Sequence, residues 1–445
     1  MDILIMAGQL MLSLSILIVL HEMGHFFPAR FFGTRVEKFY LFFDPWFSLF
    51  KKKVGDTEYG IGWLPLGGYV KISGMIDESF DREQMSQEPQ PWEFRSKPAW
   101  QRLIIMLGGV TVNFILGFLL YGMVLFVWGE EYLPAKNVEY GIHADSLGME
   151  LGLKNGDQIL AIGDNPFEQF NEREVIRQIV INSASKLVIS RDGQEMTLPI
   201  DEKYIGILSS HANKDKRLFY ARVPFVAGDI QKDSPADKAG LKVEDKIIAL
   251  NGTPTPYFDN FATIGGDLKS RPVNITILRD KTDTLALAMT TTEEGKIGVV
   301  PYGPNYFFET EKLEYTLAQA LPAGVIKGWN FLGDQIKAFG QIFKSKIKAS
   351  ESLGGFASIG KMFGNEWNWE RFWTMTAILS LILAFMNLLP IPALDGGHVV
   401  FLLYEVVSGR KPSDKFLEYA TMAGFVIVIG LVLFANGMDI LRIFK

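Results

Sequence analysis

The 445-residue chain contains no cysteine. That absence excludes disulfide scaffolds, Cys-ligated zinc ribbons, iron–sulfur clusters and Cys-nucleophile enzymes, and it leaves any metal to His and carboxylate. Histidine is scarce too, at five: His21, His25, His143, His211 and His398. Nor is there an excess of positive charge, since 44 Lys+Arg stand against 50 Asp+Glu for a net −6. The chain therefore lacks the basic surface with which a nucleic-acid binder displaces counterions. Its length allows roughly three domains at about 150 residues each.

Charge is also missing locally. The runs Ile3–Leu20, Leu103–Val127, Phe372–Leu389 and Tyr419–Phe434 hold no charged side chain. Each is close to the roughly 17–25 apolar residues that carry a helix across a bilayer, so four transmembrane helices are expected. The first run follows Met1-Asp2 with no basic residue and no small-residue cleavage site, which marks it as a retained span rather than a signal peptide. Between the first two runs lie Arg30, Arg35, Lys38, Lys51, Lys52, Lys53, Lys71, Arg95, Lys97 and Arg102; between the last two lie Arg410, Lys411 and Lys415. By the positive-inside rule both connections face the cytoplasm, and the long segment from Gly129 to Asn368 lies outside. Arg442 and Lys445 at the outer end run against that trend.

The outer segment repeats itself. Residues 145–164 and 233–252 align at a constant offset of 88 with 8 of 20 positions identical, which signals a duplicated module. Ser234-Pro235-Ala236, then Ala239-Gly240-Leu241 and Asp245-Lys246-Ile247-Ile248-Ala249-Leu250-Asn251-Gly252, resembles a PDZ domain, and the first copy is a degenerate version. Gly240 suits the end of a short helix, the Ile-rich stretch a strand, and Asn-Gly a turn. PDZ domains take an extended peptide as an added strand, so peptide ligands are expected unless the pair serves only as a spacer. Beyond the repeat, Leu313, Leu317, Leu321, Val325, Trp329, Leu332, Ile336, Phe339 and Phe343 recur at helical spacing, interrupted by Pro322. Two placements fit this amphipathic pattern: on the outer membrane face, or capping the second repeat.

Chemistry concentrates at the end of the first run. His21-Glu22-Met23-Gly24-His25 is an HExxH motif; on a helix its two imidazoles share a face, and Glu22 can reach a water molecule on the same ion. Three ionisable groups at the end of a span are costly unless they pair or bind a metal. Two His leave tetrahedral zinc short of one protein ligand and one open position. The third run ends Asn387-Leu388-Leu389-Pro390-Ile391-Pro392-Ala393-Leu394-Asp395-Gly396-Gly397-His398. Asp395 is the natural third ligand, and His398 its local competitor. Pro390 and Pro392 break the helix and free backbone groups that must line a cavity or meet protein.

HExxH in a first span, this Asn-x-x-Pro-x-Pro-x-Leu-Asp-Gly-Gly-His stretch in a late one, and paired PDZ domains between them resemble the site-2 protease family of intramembrane zinc metalloproteases, in particular its bacterial regulator-of-sigma-E-protease (RseP) branch. Leu64 to Lys71, with Gly67 and Gly68, resembles that family's membrane-associated β-hairpin. Gly108 to Asn113 resembles its Gly-Pro-x-x-x-Asn pattern with Gly109 in place of Pro. The resemblance implies zinc on His21, His25 and Asp395, Glu22 as the catalytic base, and substrate contacts from Asn387 and from the Gly67-Gly68 edge. It further implies residence in a bacterial inner membrane with the PDZ domains periplasmic. The substrates it implies are single-pass membrane proteins, such as an anti-sigma factor after a first cut or signal-peptide remnants, with the PDZ pair as a size filter. Two stretches depart from the family: Ser352 to Gly360 lacks a Pro, and the Gly-rich segment after the first span reads Phe42-Phe43-Asp44-Pro45-Trp46.

The expected chain is thus a polytopic α-helical membrane protein with two inserted mixed α+β PDZ domains. In order these are a first transmembrane helix (1–28), a cytoplasmic and membrane-associated β-hairpin region (29–100), a second transmembrane helix (101–128), PDZ domains (129–215 and 216–305), an amphipathic outer-face helix region (306–368), a third transmembrane helix with the Asp395 motif (369–398), a cytoplasmic loop (399–417) and a fourth transmembrane helix (418–445). The competing readings are a non-catalytic membrane scaffold that binds peptides through the PDZ pair, which a closed four-ligand metal site would favour, and a zinc transporter. The near absence of ionisable residues in spans two and four opposes the transporter.

Overall fold

The computed structural model describes residues 2–65, 67–75, 87–214, 216–265, 268–344, 346–347 and 354–443; Leu66, Ser352, Leu353 and Lys445, named above, lie outside them. The longer helices are α1 (Asp2–Phe31), α2 (Ala99–Trp128), α3 (Leu317–Phe343), α4 (Phe356–Phe363), α5 (Trp369–Leu388), α6 (Asp395–Ser408) and α7 (Asp414–Ile443). Of these, α1, α2, α5 and α7 are long and apolar enough to cross a membrane, and with several β-sheets they make this a polytopic membrane protein carrying β domains. The chain divides into two compact units. One holds the described residues up to Gly129, Glu314–Ile336 and those from 354 onward; the other holds Glu130–Leu313 and the described residues after Ile336 up to 347.

In the helical unit, α1, α2 and α5 are joined by close backbone approach and by buried hydroxyls. A Cβ on Gly24 would stand 2.5 Å from the Gly108 carbonyl oxygen, so α1 and α2 cross with no side chain between them. Ser13 Oγ and Thr376 Oγ1 are 2.9 Å apart between α1 and α5, and Ser380 Oγ donates to the Asn113 carbonyl at 2.7 Å between α5 and α2. Such bonds replace the water that hydrocarbon cannot supply. The first part of α3 packs beside the second and third spans, Leu332 burying with Leu120, Tyr121, Ala377 and Leu381. Its small residues form a stripe, and a Cβ on Gly324 would meet the Gly122 nitrogen at 2.3 Å while one on Gly328 would meet the Phe118 ring at 2.6 Å. The helix is held by small-residue packing on α2, a signal masked in the sequence by the large apolar residues around it.

After α1 come strands β1 (Val36–Leu41), β2 (Phe43–Val54), β3 (Thr57–Leu64) and β4 (Tyr69–Ile72), ordered β2-β3-β1-β4. β2 and β3 form the antiparallel hairpin, whereas β1 runs parallel to β3 and antiparallel to β4. Gly67 and Gly68, expected within a hairpin, therefore lie on the connection that carries the chain from one side of β1 to the other. Because β1 lies between β3 and β4, that connection cannot be a tight hairpin turn. β4 ends up as an edge strand.

The third span is shorter than expected and the loop after it is partly helical. α5 stops at Leu388, Leu389 before Pro390 is extended at φ −59°, ψ 143°, as a residue preceding proline must be, and α6 starts at Asp395. Asp395 thus opens a new helix instead of closing the span. Residues 399–408, expected as loop, continue that helix because Val399 and Leu402 bury among Ala29, Val36, Phe94 and Ile105.

The second unit contains the duplicated module. The chain comes in and goes out on a two-stranded ribbon, Glu130–Tyr132 with Glu311–Leu313. Each module has a four-stranded sheet: Gln194–Pro199, Lys186–Arg191, Gln158–Ile162 and Asn165–Pro166 in the first, and Thr253–Pro254, Lys246–Leu250, Pro272–Arg279 and Asp283–Thr290 in the second. The offset of 88 continues beyond the aligned stretch into an ion pair. Asp157 accepts from the Arg191 side chain and the Lys154 amide while Arg191 caps Gly152 O, and Asp245, Arg279, Lys242 and Gly240 repeat that arrangement. The strand Phe219–Ala221 pairs with Ile142–Ala144, so the first module runs through residue 221, past the boundary expected at 215.

Asp259, on the short helix Phe258–Gly265 of the second module, is the polar link to the first. It accepts from Arg222 Nε at 3.0 Å and from Asn155 Nδ2 at 3.2 Å, and His143 Nδ1 stands 3.6 Å away. Burial opposes its ionisation, but His143 and the Arg222 guanidinium outweigh burial and hold the carboxyl below its ordinary value. A lowered folded value stabilises above the unfolded pKa of about 4 and loses that contribution as pH falls through the folded value. Asp259→Asn should accordingly make the second unit less resistant to limited proteolysis at pH 7, and the gap from wild type should close as pH falls below about 4.

Candidate metal centre

α1 carries His21, Glu22 and His25 within its last three turns, four-residue spacing placing both imidazoles on one side. Their Nε2 atoms are 3.2 Å apart, with the rings edge to face at 79°. From the start of α6, Asp395 Oδ2 stands 3.3 Å from His21 Nε2 and 3.4 Å from His25 Nε2. The three donor atoms form a nearly equilateral triangle. A tetrahedral ion with bonds of about 2.1 Å has ligand atoms about 3.4 Å apart, so the triangle matches one face of such a coordination shell.

Two further observations fit a cation. Asp395 Oδ2 is buried with no hydrogen-bond partner, an orphaned charge that a metal would satisfy. His25 Nδ1 lies 2.8 Å from the Ile105 carbonyl, a group that only accepts, so its proton sits on Nδ1 and its Nε2 lone pair faces the triangle. Among the described residues, His21, His25 and Asp395 are the group of His and carboxylate donors close enough to share an ion, which leaves a fourth tetrahedral position to solvent or substrate.

The surroundings come from three elements. On α2, a Cβ on Gly109 would stand 2.3 Å from His25 Nε2 and 2.6 Å from His21 Cε1; glycine is what lets the second span pass this close. Asn113, one turn further on, places its amide 3.1 Å from His21 Nδ1. On α5, Asn387 Nδ2 is 3.4 Å from His21 Nε2. A Cβ on Gly68 would stand 3.5 Å from Glu22 Cγ and 2.5 Å from Ile18, so the chain just before β4 runs against Glu22. Val70 on β4 hydrogen-bonds Glu22 through its backbone. Gly67, at φ 152°, packs on the Phe43 ring, and Tyr69 donates to Asp44 at 2.8 Å, tying the departing Phe42–Trp46 segment to β4.

The structure thus brings His21, Glu22, His25, Asp395, Asn387 and Gly68 to one place, with Gly67 one residue further from Glu22. His398 lies apart, lining a small cavity with Arg95, Arg102, Glu405 and Lys411. Gly109 and Asn113, noted in the sequence only as part of the Gly108 to Asn113 pattern and given no role there, are brought by the structure against both imidazoles.

Comparison with known proteins points the same way. The sequence matches peptidase family M50 over residues 9–431. It is 27% identical over 97% of its length to a putative zinc metalloprotease of Neisseria meningitidis, covering 98% of that protein. It is 27% identical over 98% of its length to the regulator of sigma E protease of Haemophilus influenzae, covering 98% of it. It is 28% identical over 95% of its length to the regulator of sigma-E protease RseP of Salmonella typhimurium, covering 96% of it.

A side chain at residue 109 would have to displace the imidazoles. Gly109→Leu should still insert but retain metal roughly 10-fold or more weakly, in the range seen when the support of a metal ligand is lost. Metal content of the purified protein after dialysis against a chelator checks this.

Proposed function

Since the chain belongs to peptidase family M50, the site-2 protease family, and is a zinc metalloprotease with several membrane helices, we propose that it hydrolyses a peptide bond within the transmembrane segment of single-pass membrane proteins. The observation that carries this reading is the convergence of His21, His25 and Asp395 at the end of an apolar helix. In it those three side chains hold zinc, and Glu22 is the catalytic base. When bound, zinc acidifies water and polarises a peptide carbonyl.

The residues then divide the work. Glu22, next to His21 on α1 and largely buried, takes a proton from the attacking water and gives it to the leaving amide nitrogen, so the C–N bond breaks as a free amine forms. Its burial keeps the exchange away from bulk solvent. Asn387, on the last turn of α5, offers an amide N–H to the substrate backbone. The edge strand β4 and the Gly67-Gly68 connection offer a place for an unwound segment to add as a strand. A transmembrane helix keeps its backbone bonds internal, so an extended segment needs such partners before it can be cut.

The two outer modules are read as PDZ domains, placed periplasmically in a bacterial inner membrane. The basic residues Arg30 to Arg102 and Arg410 to Lys415 support that orientation. In this reading the pair screens substrates by the bulk of their outer portion, admitting an anti-sigma factor already shortened by a first cut or a signal-peptide remnant. Peptide capture by either module is a further expectation. Three protein donors with an open position support hydrolysis over a non-catalytic scaffold.

Glu22→Gln should abolish cleavage of a co-expressed single-pass reporter, a loss of about 10²–10⁴-fold for a general base, while zinc content stays normal. Asp395→Asn should lower zinc content as well. Reporter cleavage at the wild-type rate in the Glu22 variant would remove this mechanism, and unchanged metal stoichiometry in the other would remove Asp395 from the ligand set.

A further inference from the structure

The mechanism above makes no use of Asn113. Its side chain is 1% exposed, in the middle of a run, Leu103–Val127, that carries no charged residue. Its amide lies 3.1 Å from His21 Nδ1, with Nδ2 toward the ring and Oδ1 without a hydrogen-bond partner. A buried polar group in such surroundings is costly for each bond left unmade, so its presence calls for a physical reason.

His25 shows what the far nitrogen of a ligating imidazole requires. Its Nδ1 faces the Ile105 carbonyl, which fixes the proton on Nδ1 and frees Nε2. His21 is under the same demand, because its Nε2 stands within 3.4 Å of His25 Nε2 and Asp395 Oδ2, where a proton would exclude an ion. The proton must then sit on Nδ1, which needs an acceptor, and among the described residues Asn113 makes the hydrogen bond at that nitrogen. An N–H cannot accept. The two ends of an amide have nearly the same shape, so a half-turn costs no space. Either orientation leaves one amide end without a partner, but only one leaves His21 able to ligate.

We propose that Asn113 is a positioning residue that turns its Oδ1 to His21 Nδ1–H and so fixes the tautomer and ring orientation of His21 for zinc. The inference rests on the reading of His21, His25 and Asp395 as the zinc ligands. The backbone is built to hold the amide in place, since Ser380 Oγ donates to the Asn113 carbonyl at 2.7 Å and pins α2 to α5 at this level. Gly109, four residues earlier on the same face, keeps the path to the imidazoles clear. The first zinc ligand is thereby oriented by a side chain and the second by a main-chain carbonyl, both from α2.

The test measures zinc retention by the intact protein in detergent, using competition with a chelator, in Asn113→Leu, Asn113→Ala and Asn113→Asp, with His21→Ala as reference. Leu matches Asn in size without an acceptor, whereas Asp restores an oxygen at the same point. The expected result is zinc held about 10–100-fold more weakly by the Leu and Ala variants, with Asp within a few-fold of wild type and a cobalt-substituted spectrum of unchanged tetrahedral form. A packing role predicts the reverse order, because Leu fills the space and Asp adds a buried charge. If the Leu or Ala variant holds zinc like wild type while His21→Ala loses it, this inference fails and the ligand assignment stands. If His21→Ala also keeps its zinc, the ligand assignment itself fails. Should Leu prevent folding, the Ala and Asp pair decides by the same ordering.

Discussion

Backbone meets backbone where α1 crosses α2 at Gly24 and Gly108, and most of the site follows from that contact. A Cβ at either position would stand within 2.5 Å of the opposing carbonyl oxygen, so only two glycines allow the spans to approach this far. One turn before the contact, Ile105 brings its carbonyl to His25; one residue after it, Gly109 faces both imidazoles; one turn further on, Asn113 reaches His21. The second span has no charged residue between Leu103 and Val127, yet it supplies the partners of both histidines. In an apolar solvent this is economical, because a carbonyl and an amide orient an imidazole without adding a charge that would itself need burial.

The third donor is delivered differently. Asp395 belongs to α6, which starts after the break made by Pro390 and Pro392, and its carboxylate sits in the first helical turn, where the helix dipole favours an anion. Two glycines follow it. A Cβ on Gly396 would stand 2.3 Å from the Leu389 carbonyl oxygen, and one on Gly397 2.5 Å from that of Ile391, so the helix start folds tightly back on the break. Ten residues along, Glu405 receives Arg102 Nη2 at 2.5 Å, and Arg102 also donates to Lys97 O at 2.9 Å. Arg102 lies in the first turn of α2, so the second span also anchors the helix that carries the aspartate. This ion pair is buried, and its value is in fixing the position of α6 more than in stability, since the desolvation of two charges offsets much of their attraction.

The sequence made the four spans, the HExxH helix and Asp395 legible because each rests on a local rule: charge-free length, four-residue spacing, and a lone acid beside a proline break. The sheet after α1 was not legible. β1 and β3 pair in parallel with β2 between them in the chain, and no local pattern distinguishes that from a simple meander, so Gly67 and Gly68 were placed within a β-hairpin whereas they lie on the connection that crosses β1. Residues 399–408 were expected as loop, whereas the helix that opens at Asp395 continues through them and Gly396-Gly397 gives its start room to pack. Half of the duplication was visible. The aligned stretch holds the Asp of each ion pair, but its partners Arg191 and Arg279 lie 34 residues further on, past segments in which the two copies share little sequence. The stripe Ala320, Gly324 and Gly328 was hidden because amphipathic patterns are scored on large residues, while helix contacts of this kind depend on small ones.

Non-helical backbone at membrane depth is tolerated only where protein or a water-filled cavity meets its unpaired groups. Two non-helical stretches lie beside the candidate metal centre: the break between Leu388 and Asp395, and the edge of the small sheet at Gly68 and β4. Each exists for a reason of its own, since the break lets α6 present Asp395 and the sheet edge runs against Glu22. The break pairs its own amides, Ile391 N–H with the Leu389 carbonyl and Leu394 N–H with that of Ile391, whereas β4 is paired on one side only, with β1. A substrate helix that unwinds to expose one peptide bond carries the same liability, because its freed N–H and C=O groups have no water to turn to. In the proposed reaction the two needs answer each other, the extended substrate pairing with β4 and with the Asn387 amide. An irregular protein backbone at the site is then what makes unwinding of the substrate affordable, and a site built wholly from intact helices would offer the freed bond nothing to pair with.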